Sequence, residues 1–211
     1  LNNLYIDIET IPAVEPTDED IKSCSLKKTP DTIQKDFEEN YDTLLQKALK
    51  KKGTSIYDSK VVCIGFAFND DKPQSVIGTE TYLLQAFENI IKDYHKENGG
   101  SKESNLLVGF NSDNFDFPIL YLRACLYKMD GLKSLFYYCE KRDVMKMGTC
   151  KIYGKFVSMD NLCKFFNIEG KGDVDGSMVY PMYKEGKIEE IAEYCRRDVE
   201  KTRKLYNILS I

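Results

Sequence analysis

Residues 4–9 read LYIDIE, and their alternation decides the fold. Leu4, Ile6 and Ile8 fall on one side of an extended chain, and Tyr5, Asp7 and Glu9 on the other. That is the period of a β-strand with one face in a core. Asp7 and Glu9 then share a face, roughly 7 Å apart along the strand. Two adjacent carboxylates repel, and burying them without a cation raises a pKa or costs several kcal/mol. An edge strand with this face in water would remove the conflict. So would a divalent metal. Alone, the stretch leaves both open.

Outward from this strand, Pro12 and Pro16 end it, and residues 17–59 change character. They are polar and rich in Lys, Asp and Glu, with a helical pattern around 36–52. We read them as a helical insertion or flap on a single domain spanning 1–211, not a second domain. The run Lys50–Lys52 reads as a solvated helix end in preference to a nucleic-acid contact. KVVCIGFAF at 60–68 is a buried strand, NDDKP at 69–73 a turn, and SVIG at 75–78 a third strand. A helix over 80–95 carries Leu83, Leu84, Phe87, Ile90 and Ile91 on one side. LLVGF at 106–110 is another buried strand, followed by a helix from about 115 to 129. Ser158 is a plausible N-cap for a short helix. A long last helix covers about 187–209, with Ile188, Ile191, Ala192, Cys195, Val199, Thr202, Leu205 and Leu209 as its apolar stripe. Three strands, then strands alternating with helices, predict an α/β fold with a mixed sheet flanked by helices.

The totals narrow the function. A chain of 211 residues with 42% hydrophobic content can bury a sizeable core. Its net charge of −4 argues against coating nucleic acid by charge alone, but not against an enzyme holding a strand end through metal ions. No stretch approaches the roughly 18 apolar residues of a membrane span, so no membrane partner is expected. The opening LNNLYIDIET lacks the basic head and cleavage site of a signal peptide. It begins with Leu1 and not Met, so residues upstream are expected. Seven cysteines without a CxxC pair read as reduced thiols of a cytoplasmic protein.

Two further acidic places matter. In GFNSDNFDFP, residues 109–118, a buried strand ends and a helix begins, where open sheets gather ligands. Asp113 lies in the turn and could cap the helix. Asp116 lies in its first turn, where the helix dipole also favours acids. In YCRRD, Tyr194 and Asp198 are four apart, so they share a helix face beside the apolar stripe.

YIDIET, VGFNSDNFDFPIL and YCRRDVEKT together resemble the three exonuclease motifs of the DEDD (DnaQ-like) superfamily, in its tyrosine branch. The resemblance extends to the stand-alone predicted 3′–5′ exonucleases related to the family B DNA polymerase exonuclease domain, whose patterns GKGDVDGSMVY and EGKIEEIAEYCRRDV are similar to. It covers residues 4–206 and is weakest in the insertion. It implies a ribonuclease H-like fold with a mixed five-stranded sheet. It also implies Asp7, Glu9, Asp116 and Asp198 as catalytic metal ligands, with Tyr194 as the catalytic tyrosine. By the same resemblance Asp7 bridges two ions, Glu9 and Asp198 hold the water-side ion, and Asp116 serves the leaving side. Tyr194 positions the attacking water. The histidine branch needs a His where this chain has Glu193, and the single histidine, His95, lies elsewhere.

The chemistry suits these residues. Two divalent ions roughly 4 Å apart can serve both ends of an in-line displacement at phosphorus. Mg²⁺ or Mn²⁺ takes oxygen ligands, which explains four acids and no cysteine or histidine ligand. Specificity for a 3′ end is expected from the backbone at Thr10 and Ile11, and from Phe115 stacking on a base or simply packing in the core; the resemblance also implies Asn111 and Phe115 as residues that approach the terminal nucleotide. Lys171 is a candidate phosphate contact or a solvated lysine. DVDG at 173–176 fails the spacing of an EF-hand calcium loop. Asp143 reads as a structural acid. The expected function is metal-dependent 3′–5′ hydrolysis of single-stranded DNA or a frayed 3′ end to nucleoside 5′-monophosphates. RNA as substrate, a catalytically silent nucleic-acid-binding module, and a polymerase or repair protein as partner in trans stay open.

Overall fold

In a computed structural model, which describes residues 2–99, 105–150, 152, 155–169 and 175–210, the alternating stretch forms β1 (Asn2–Pro12). It is the central strand of a five-stranded sheet ordered β3-β2-β1-β4-β5. This placement removes the edge-strand explanation of Asp7 and Glu9. Pro12, the last strand residue, sits at a strand end, where its missing N–H costs least.

Next come α1 (Asp18–Lys22), α2 (Pro30–Glu39) and α3 (Tyr41–Gly53), so the predicted single helix of the insertion is a cluster. Its own small core joins Ile21, Leu44 and Ala48. β2 (Ser59–Phe68) runs antiparallel to β1, and β3 (Gln74–Ile77) antiparallel to β2. α4 (Glu80–Asn98) crosses to β4 (Asn105–Gly109), which is parallel to β1. α5 (Asp116–Leu126) and α6 (Asp130–Tyr138) then return the chain to β5 (Glu140–Asp143), parallel to β4. α7 (Val144–Gly148), α8 (Met159–Phe165), a 3-10 turn (Gly176–Met178), α9 (Val179–Lys184) and α10 (Ile188–Leu209) complete the described chain. The fold is the expected α/β, ribonuclease H-like one, a mixed sheet between two layers of helix. The motifs did not reveal β5, α6 or α7. EKRD offers no apolar alternation, and its strand character comes from pairing with β4.

The two faces of β1 meet different layers. Leu4, Ile6 and Ile8 pack with Phe66 and Phe68 against α4, α5 and α6. Tyr5 packs beneath α8 and α10, beside Val108 and Val199. Farther along, Cys63 and Ile11 meet α9 and α10 at Val179, Ile191 and Cys195. Asp7 and Glu9 therefore project between the sheet and α10, where the apolar stripe seats the helix on the sheet. All seven cysteines are free thiols. Among the described residues no helix is long and apolar enough to cross a membrane.

Candidate active site

β1 and β4 pair only as far as Tyr5 opposite Val108, and beyond that point β4 turns away. Asn111 makes the turn with φ 56°, a left-handed conformation that asparagine tolerates better than most residues. Asp143 fixes it: its carboxylate accepts the N–H of Asn111 at 2.9 Å and of Asp113 at 3.3 Å while capping α7. Asp143 is thus structural, as the sequence suggested. Asp113 pairs with Lys146 at 2.7 Å and caps nothing; α5 starts after Phe115 without a side-chain cap.

The chain then re-enters the sheet's vacated edge. The N–H of Ile8, left open by the departure of β4, donates to Oδ1 of Asp116 at 3.0 Å. This bond brings a carboxylate from the opposite helical layer to the level of Asp7 and Glu9. A register shift between Glu9 and Thr10 follows, and such bulges commonly re-aim side chains beside active sites. Just past it, Thr10 donates through Oγ1 to the carbonyl of Gly53 at 2.6 Å, docking the end of α3 onto β1.

The fourth acid comes from α10, whose approach depends on Gly65. Gly65 lies opposite Asp7 in the β1–β2 register. A Cβ there would stand 2.7 Å from Sγ of Cys195, 3.1 Å from Cγ2 of Val199 and 3.2 Å from the carbonyl oxygen of Cys195. Only a glycine lets the helix come this close. Cys195, one residue after Tyr194 and three before Asp198, then donates its thiol to Oδ2 of Asp7 at 3.3 Å.

Ligand atoms of Asp7, Glu9 and Cys195 all lie within 4.8 Å of one another. Glu9 and Asp116 are buried, and Asp7 is partly so. Burial first, then the charges of Asp116 and Asp198, push the Asp7 carboxyl well above its usual range. Glu9 is raised by burial and then by Asp7 and Asp198. Burial lifts Asp116 to about 7 even though the Ile8 N–H pulls the other way. The Tyr194 phenol is raised by burial and by Asp198, Glu9 and Asp7, so it keeps its proton. Burial and the neighbouring Cys63 raise the Cys195 thiol, which makes it a hydrogen-bond donor to Asp7 rather than a metal ligand. Asp198 departs from strict convergence. Its Oδ1 accepts from the buried Lys201 at 2.9 Å, and that ammonium neutralises the carboxylate nearest the helix.

Mutually repelling carboxyls, raised by burial and supplied with one cation, match the demand of hard divalent ions. Their donors are oxygens, and their repulsion is relieved when cations sit between them.

Of the expected substrate contacts, Phe115 and Thr10 line a groove of about 550 Å³ that opens from Glu9. Ile11 is buried in the core with Val62 and Ile191, so contact with a substrate falls to its backbone. The Asn111 side chain accepts from Asn114 at 3.0 Å within its own turn, 5 residues' worth of chain before Asp116. Lys171 lies outside the described residues, as do Asp173 and Val174 of the DVDG stretch. Sequence reasoning missed Gly65, which hides in an apolar run, and Lys201, which is one of many charged residues on α10. It also missed the α3 residues on the groove.

Comparison with known proteins gives the relationships of the chain. Residues 137–209, which carry the Tyr194–Asp198 helix, match a family described as a predicted 3′–5′ exonuclease related to the exonuclease domain of PolB. An uncharacterized protein of Methanocaldococcus jannaschii is 28% identical over 171 residues, covering 76% of this chain and 92% of that protein. A DNA polymerase of Archaeoglobus fulgidus is 22% identical over 157 residues, covering 67% of this chain but 19% of the polymerase. The structure of the family B DNA polymerase from Pyrobaculum calidifontis superposes with a TM-score of 0.60 at 15% identity, over 99% of this chain and 24% of that one. The chain thus has the fold found within a family B polymerase, and over its last third it is related to predicted 3′–5′ exonucleases of that type.

Proposed function

We propose that this chain is a divalent-metal-dependent 3′–5′ exonuclease of the tyrosine branch, hydrolysing single-stranded DNA to nucleoside 5′-monophosphates. The observation that carries the reading is that Asp7 and Glu9 of β1, Asp116 of α5 and Asp198 of α10 come near one another, with Glu9 and Asp116 buried and Asp7 and Asp198 partly so. The raised carboxyls of Asp7 and Glu9 cost stability in the absence of a cation. Asp7 and Glu9, whose oxygens already converge, would be the principal metal ligands, with Asp116 and Asp198 completing the set. Mg²⁺ or Mn²⁺ bound there supplies charge neutralisation for both the attacking water and the departing 3′ oxygen.

The protein's own groups do the rest. Cys195 holds Asp7 by its thiol hydrogen bond, and the Ile8 N–H holds Asp116, so two carboxylates are oriented before substrate arrives. Tyr194 stays protonated and can hold a water by its hydroxyl without ionising. Lys201 keeps Asp198 in place while the site is free of metal.

The test is a 5′-labelled single-stranded DNA, and the matched RNA, incubated with Mg²⁺ or Mn²⁺. The expected result is a ladder shortening from the 3′ end of the DNA, lost with EDTA and in Asp198→Ala. Asp198→Asn, which can still accept from Lys201, guards against simple misfolding of the alanine variant. Shortening of RNA alone would change the substrate. No shortening of either strand would leave a silent binding module.

A further inference from the structure

The insertion has two working faces. Leu44 and Ala48 of α3 pack on Ile21 in the cluster's own core, and Lys52 is tied to Asp20 at 2.7 Å. Gln46, Leu49, Lys50 and Gly53 repeat at the i, i+3, i+4, i+7 spacing of a second helix face, and all four line the groove that opens from Glu9. Phe115 and Tyr180 line it as well. The end of the helix is docked here by Thr10, the residue after Glu9, which donates to the carbonyl of Gly53.

We propose that α3 is the strand-end gauge of this protein: its Gln46–Leu49–Lys50 face forms, with Phe115, the groove that takes one unpaired nucleotide of a single-stranded nucleic acid. Three observations favour this occupant. The groove is continuous with the carboxylates, because Glu9 belongs to both. Its volume of about 550 Å³ is that of a small-ligand site, enough for a nucleotide. Its chemistry matches a nucleotide: Phe115 offers a face for stacking, Leu49 an apolar surface, and Lys50 an ammonium for a phosphate. Among the described residues Lys50 makes no ion pair, whereas Lys52, two residues on, is paired with Asp20. A polar insertion on an acidic protein thereby places a positive charge on the lining of the groove. The surface lysine of the sequence reading becomes a phosphate contact.

The inference rests on the exonuclease reading for its meaning but is tested by binding, so the two can fail separately. Fluorescence anisotropy of a labelled single-stranded DNA, in the Asp198→Asn background with Mg²⁺, reads affinity as a function of salt. Lys50→Ala is expected to weaken binding about 5- to 20-fold at low salt. It should also reduce the slope of log K against log salt by about 0.7, the share of one single-strand phosphate. Leu49→Ala is expected to weaken binding several-fold with the slope unchanged. Lys51→Ala, the same charge change facing away from the groove, should leave both unaltered. A blunt duplex should bind at least about tenfold more weakly than the single strand. Equal effects of Lys50→Ala and Lys51→Ala, or equal binding of duplex and single strand, would overturn the proposal. If no strand is hydrolysed by the wild type, the exonuclease reading fails, yet the Lys50 and Lys51 comparison still decides the groove.

Discussion

Replacing Gly65 by alanine tests how the site is assembled without touching any acid. The added methyl would sit 2.7 Å from Cys195 Sγ, about 1 Å inside ordinary contact, and 3.1 Å from Val199 Cγ2. Rotating the thiol away does not solve the problem, because the Cys195 carbonyl oxygen stands 3.2 Å from the same methyl. Rotation would also break the hydrogen bond to Asp7. The helix must therefore lift off the sheet by roughly 0.5–1 Å. Overpacking of this kind costs about 1–3 kcal/mol. Lifting α10 also carries Tyr194 and Asp198 away from Asp7, and a displacement near 1 Å can cost about 10²-fold in rate. Thermal unfolding and steady-state hydrolysis read the two effects together. The expected outcome is a lowered Tm and a fall in kcat much larger than any change in KM. Adding Cys195→Ala should recover part of the stability, because it removes the closest atom, with a coupling of about 0.5–3 kcal/mol. Wild-type stability and kcat in Gly65→Ala would refute the claim that this glycine sets the distance between helix and carboxylates.

Other consequences follow from the buried acids. Asp116 titrates near 7 when folded against 3.8 as its ordinary value, so between those values the unfolded chain has released a proton that the folded chain retains. Stability of the metal-free protein should fall as pH rises through that window, with Asp7 and Glu9 acting in the same direction. Mg²⁺ should raise Tm more at pH 7.5 than at pH 5, and a metal-free Tm that climbs with pH would contradict this. Asp116→Asn can still accept from Ile8 while removing the buried charge, so at pH 8 it should be at least as stable as wild type in differential scanning fluorimetry, with hydrolysis reduced by about 10² or more. Tyr194→Phe should lower kcat by about 10- to 100-fold at nearly constant KM, the mark of a group acting on the attacking water and not on strand binding. A change confined to KM would assign the phenol to substrate binding instead.

The sheet was legible from the chain because its strands announce themselves. LYIDIE alternates, KVVCIGFAF is apolar after its first residue, and both fall where read. β5 escaped because EKRD is a strand only by virtue of its neighbour. The acids were legible as a pattern but not as an arrangement. Spacing cannot say that β1 is central, that Asp116 replaces a missing strand bond to Ile8, or that Asp198 leans on Lys201. Those facts depend on where β4 stops pairing and on the handful of contacts that seat α10. The insertion was the least legible part. Its residues are polar on most sides, and the groove face of α3 becomes visible only when Gly53 is docked on Thr10.

The central claim is that the four carboxylates hydrolyse the last phosphodiester of a strand. The most direct measurement follows a single-stranded DNA whose 3′-terminal nucleotide alone is labelled, with Mg²⁺, for wild type beside Asp198→Asn. The account predicts that the first labelled product of the wild type is a nucleoside 5′-monophosphate, and that the variant releases none. Label released within a longer fragment, or released equally by both proteins, would contradict it.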